Sequence, residues 1–118
     1  MDTRTKIING DAASALIGQA VFVSGYFDPL LAAHATRLNA LAERDGPVVV
    51  LLLDPPDPLL PAGARAELLA ALAAVRSVVG PPGSQALIPA LDGELIRFEE
   101  EDAAITRALI EHLHRRHS

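Results

Sequence analysis

Val48 to Leu53, VVVLLL, is an apolar run with no polar position to mark a water-facing side. Gly46-Pro47 precedes it and Asp54-Pro55-Pro56-Asp57-Pro58 follows it. The run is too short for a typical helix, and the residues at its ends suit neither helix nor ladder. A segment that hides both faces from water fits a central strand of a parallel sheet, covered by helices on two sides. The proline-rich stretch after it then forms a stiff loop at the strand's carboxyl end, where open α/β sheets bind ligands.

A second apolar run, Ala20 to Val23, predicts a neighbouring buried strand broken by Gly25. Asp28-Pro29 turns the chain, and a helical pattern runs from Leu30 or Leu31 to about Arg44, with His34, Leu38 and Leu41 on one face. Asp45-Gly46-Pro47 ends that helix. Strand, glycine turn and helix together make a place to hold phosphate, because a helix start offers unpaired N–H groups and the positive end of the dipole.

The flanks complete the layout. Met1 to Lys6 is polar and reads as frayed, and Asn9 or Asp11 caps a short helix over Ala12 to Ile17, stopped by Gly18. After the proline loop, a helix from Ala62 or Gly63 to Ala74 carries a Leu68, Leu69 and Leu72 stripe, and Val75 to Val79 reads as a strand. Gly80-Pro81-Pro82-Gly83 is a break. Ala86 to Leu91 suits either a strand or a helical turn interrupted by Pro89; Asp92-Gly93 is a turn and Glu94 to Phe98 a strand. A last helix starts near Asp102, with Ile105, Leu109 and Leu113 in register. The expected fold is a single α/β domain over 1–118: a three-layer, Rossmann-like parallel sheet with helices on both faces.

With hydrophobic residues at 50% but aromatics at only 3%, the core must be aliphatic. Ten basic against 15 acidic side chains give a net charge of -5, which argues against nucleic acid as a partner. The absence of cysteine removes disulfides, thiolate metal sites and a cysteine nucleophile. The first residues lack the apolar core of a signal peptide, and no apolar run approaches the roughly 20 residues that span a bilayer. The expectation is a cytoplasmic protein with no membrane partner.

Gly25-Tyr26-Phe27-Asp28-Pro29-Leu30-Leu31-Ala32-Ala33-His34 resembles the nucleotidyltransferase signature G-x-F-D-x-x-H-x-G-H of the cytidylyltransferase-like superfamily. Gly25, Phe27, Asp28 and His34 match; Leu31 stands at the first histidine and Ala33 at the second glycine. The middle of the chain is similar to the heptose-phosphate and glycerol-phosphate transferase branch, from Pro61 through Arg65 and the leucines of the following helix to Val78-Val79. The resemblance implies a nucleotide site, for ATP or CTP, formed by Gly25, Tyr26, Phe27, Asp28, His34 and Arg65, with Mg²⁺ accompanying the nucleotide and His34 as the catalytic group. It implies transfer of a nucleotidyl group to a phosphorylated small molecule with release of pyrophosphate.

The departures fall on functional parts. No basic residue lies between Asp54 and Leu60, nothing after Gly80 matches the family's late serine/threonine motif, and Leu31 removes a charge-stabilising histidine. These point to impaired or lost transfer, a pseudoenzyme, or to a silent structural or regulatory module. Several residues keep two readings. Asp28 is a nucleotide-site residue or the turn residue of Asp-Pro; His34 lines a phosphate site or packs beside Leu38 and Leu41; Arg65 reaches phosphate or is a solvated helix arginine. Asp54 and Asp57 hold Mg²⁺ or cap a loop, and no protein-held metal site is assigned. His112, His114 and His117 lack an i, i+4 pair and read as helix-end residues. Homo-oligomerisation stays open. The site expectation is one cavity bordered by Gly25, Phe27, Asp28 and His34, with Asp54 across from them.

Overall fold

The structure, a computed structural model, describes residues 2–91 and 93–100. The expected final helix with its histidines lies outside the described residues, as does Asp92. The described chain forms β1 (Ile7–Ile8), α1 (Gly10–Ser14), β2 (Val21–Gly25), α2 (Ala32–Asp45), β3 (Val48–Leu52), α3 (Ala62–Ala70), β4 (Val75–Val79), α4 (Gly83–Leu91) and β5 (Leu95–Arg97). All strand pairs are parallel, in the order β1-β4-β3-β2-β5.

The apolar run is the centre of this sheet. Val48 to Leu52 are each 0% exposed, and β3 is flanked by β2 and β4. Alternation along the strand divides the core into two layers. Val48, Val50 and Leu52 pack with Leu38 and Leu41 of α2 and Ala66, Leu69 and Ala70 of α3. Val49 and Leu51 turn to the other face, against Ala13 of α1 and Leu87 and Leu91 of α4. Helices cover both faces, so the three-layer α/β architecture holds. Among the described residues, no helix is long and apolar enough to cross a membrane.

Several local expectations are corrected. Gly25 does not break β2; it pairs with Leu52 as the strand's last residue. The polar start is ordered: Asp2 caps a 3-10 turn over Thr3–Lys6, and Lys6 Nζ donates to the carbonyls of Leu72 and Val75 at 3.1 and 2.9 Å. That anchor leads the chain into β1, a strand too short for its apolar pattern to be visible. Asn9 is the cap of α1, accepting from Ala12 N–H at 2.8 Å, and α1 ends at Ser14 rather than Ile17. α3 stops at Ala70, and Leu68 points outward at 47% exposure, because Arg65 rather than a leucine completes the inner face. Gly83 begins α4, which continues through Pro89 and settles the segment as helix. Ser84 Oγ, donating to the Leu52 carbonyl at 2.6 Å, ties that helix start to the end of β3.

Leu69 and Leu68 therefore differ sharply in consequence. Leu69→Ala should lower unfolding free energy by about 2–5 kcal/mol, whereas Leu68→Ala should change it by no more than about 0.5 kcal/mol. Urea denaturation of the two variants checks this, and equal losses would contradict the assigned helix face.

Candidate functional site at the carboxyl end of β2

β2 delivers Gly25 to the carboxyl edge, where its carbonyl accepts from Leu53 N–H at 2.9 Å. Two residues on, Phe27 adopts φ +46, a conformation that bulky side chains seldom take. This turns its ring back over Gly25. A Cβ at position 25 would lie 2.6 Å from Phe27 Cε2, so the glycine is required by close approach. The ring is 1% exposed and is held by His34 edge-on at 5.2 Å and by Phe98 at 5.6 Å. Burial and aromatic contact offset the roughly 1–3 kcal/mol that such a backbone costs.

His34 is buried in the first turn of α2, and its Nδ1 accepts the N–H of Leu31 at 3.0 Å. In the neutral ring this puts the proton on Nε2. The imidazole thereby satisfies the N–H of the cap residue itself, a task usually given to a Glu or Gln at this third helical position. Leu31, the cap residue, makes no side-chain bond and is half exposed.

Asp28 and Arg65 serve the loops. Asp28 accepts from Leu59 N–H at 2.6 Å and Leu60 N–H at 2.8 Å, joining the β2–α2 loop to the proline loop after β3. Arg65 is 0% exposed, so it is no solvated helix residue. Its Nε donates to Leu60 O at 3.0 Å, its Nη1 to Tyr26 O and Leu53 O at 2.8 Å each, and its Nη2 to the Asp54 carboxylate. The planar fork suits this task, since its donors reach acceptors from three chain segments at once.

The structure thus brings Gly25, Phe27 and His34 together, but with the Phe27 ring in the space expected for a cavity beside Gly25. Asp28 and Arg65 are joined through the Leu59-Leu60 segment, and Tyr26 contributes its carbonyl to Arg65. Asp54 is tied to Arg65 rather than placed across an open pocket. Among the described residues, no group of three or more His, Asp or Glu side chains could hold a metal ion.

Two features were not anticipated. Ser24 Oγ, buried in β2, donates to both carboxylate oxygens of Glu99 at 2.9 and 2.8 Å. Arg37 of α2 sits 4.2 Å over the Phe98 ring. A serine inside an otherwise apolar strand was the one signal for the first; the second depends on β5 lying beside β2, which no local pattern announces.

Gly25→Ala should destabilise by about 1–3 kcal/mol, since Phe27 is packed on several sides and cannot swing away cheaply. Arg65→Lys should lose roughly 2 kcal/mol or more, because one ammonium cannot serve four acceptors spread around a guanidinium plane. Denaturant titration tests both, and an Arg65→Lys protein of native stability would refute the clamp.

Comparison with protein-family models finds no match, and comparison with curated proteins finds no significant similarity.

Proposed function

We propose that this chain is a nucleotidyltransferase-like domain that holds the phosphate end of a nucleotide, ATP or CTP, and has lost nucleotidyl transfer. One observation carries the reading. α2 starts just after Leu31, whose own side chain makes no bond to the first-turn N–H groups, at the carboxyl end of β2, beside the point where strand order reverses between β2 and β5. Ligands of open α/β sheets bind at such a reversal, and helix starts favour anions there. Loss of transfer is supported by the residues around it. Leu31 has no donor for a phosphate, while Asp28 and Arg65 are committed to backbone groups and Asp54. Removing one preorganised donor costs about 10²–10³ in rate. Mg²⁺ would arrive with the nucleotide's phosphates rather than in a dedicated protein cage.

A second reading, a silent module kept for assembly or regulation, is favoured by the exposure of Leu31 and Leu59, 53% and 76%, on the two loops that Asp28 joins. Calorimetric titration with ATP and CTP, with and without Mg²⁺, separates the two. Weak saturable binding is expected, strengthened by Leu31→His with Ala33→Gly, with no pyrophosphate released in the presence of sugar or polyol phosphates. Ready turnover would overturn the loss of transfer; absence of binding by both proteins would leave the silent module.

A further inference from the structure

β5 and α4 enclose a groove that the nucleotide reading does not use. Ile88 and Pro89 of α4, Gly93 in the following turn, and Leu95 and Arg97 of β5 line a cavity of about 260 Å³. This is below the range of drug-sized pockets and suits a small metabolite. Its position follows from strand parity. Leu95 packs with the α1/α4 layer, and Arg97, two residues on, shares that side of the sheet. Ser24, opposite Arg97 in the ladder, lies two residues beyond Phe22 of the same layer.

Arg97 is a cation with capacity to spare. Its side chain is 44% exposed, it accounts for no hydrogen bond among the described residues, and its ion-pair contact is Glu99 at 4.0 Å. Glu99 is 9% exposed and is fixed by Ser24 Oγ on both oxygens. A buried carboxylate held in this way restrains the guanidinium at the groove without occupying its fork. Ile88, Pro89 and Leu95 supply the apolar part of the wall.

We propose that this groove binds a small monocarboxylate with an aliphatic body, its carboxylate paired with Arg97 and its hydrocarbon part against Ile88, Pro89 and Leu95. A guanidinium fork matches a carboxylate in two parallel bonds. The nearby Glu99, the exposed Glu94 and the net charge of -5 disfavour a second negative charge on the ligand. A phosphate monoester, dianionic above neutrality, is therefore the weaker ligand of the two oxyanion classes.

The test is a titration of the full ¹⁵N-labelled chain at pH 8, followed by amide shifts, with isovalerate, isoamyl alcohol and isobutyl phosphate in separate arms. Isovalerate should move the amides of Ile88, Gly93, Leu95 and Arg97 saturably, and the alcohol should bind about tenfold more weakly for want of the charge-assisted pair. Arg97→Gln should weaken isovalerate by about the same factor, with Arg97→Lys intermediate; unchanged spectra elsewhere report an intact fold. Glu99→Gln, which keeps an acceptor for Ser24, should let isobutyl phosphate approach isovalerate in affinity. Equal binding of alcohol and acid, tighter binding of the phosphate by the unmodified chain, indifference to Arg97→Gln, or shifts confined to other residues would each overturn the assignment. Nucleotide binding is read separately at the Ala32 and Ala33 amides, so failure of either reading leaves the other standing.

Discussion

A buried guanidinium needs a full set of acceptors, and Arg65 obtains one by drawing chain segments together. Removing the charge from water would cost several kcal/mol without compensation. The compensation comes from Tyr26 at the end of β2, Leu53 at the end of β3, Leu60 before α3 and the carboxylate of Asp54. These positions are the two loops that leave the central strands, so one side chain sets where both loops lie. Asp28 completes the tie from the opposite direction by accepting the N–H groups of Leu59 and Leu60. The carboxyl edge of the sheet is consequently held by polar bonds among its own residues.

This distinguishes the two kinds of order in the molecule. Beneath the edge, aliphatic layers on either face of β3 supply non-directional burial, which tolerates exchange among similar shapes. At the edge, a carbonyl without its donor is left unsatisfied, so the loops are specified residue by residue. Two of the three phenylalanines, Phe27 and Phe98, meet around His34, where the buried layer shared with α2 and α3 reaches the edge.

Legibility in the sequence followed this division. The central strand, its parallel neighbour and the helix between them were visible because period and breakers are local signals. β1 was hidden because two residues carry no period, and α4 because Pro89 in a short apolar segment argues against helix by propensity alone. At the site, Gly25, Phe27, Asp28, His34 and Arg65 stand out as candidates in the sequence, but the groups they engage do not. That Asp28 and Arg65 meet the same loop, or that Glu99 lies under Ser24, is fixed by contacts between residues 31 or more apart, or across a turn whose path the sequence does not state. Polar residues announce that they need partners, not which partners they have.

Gly25 and Phe27 occupy one volume between them: the missing Cβ of the first is the room for the ring of the second. Neither position can drift alone. Among related chains, a side chain at the first position should appear only where the second has become small, and a lineage that lost the phenylalanine would be released from the glycine. The two positions therefore form one steric unit, in which the glycine answers to aromatic packing before it answers to any ligand.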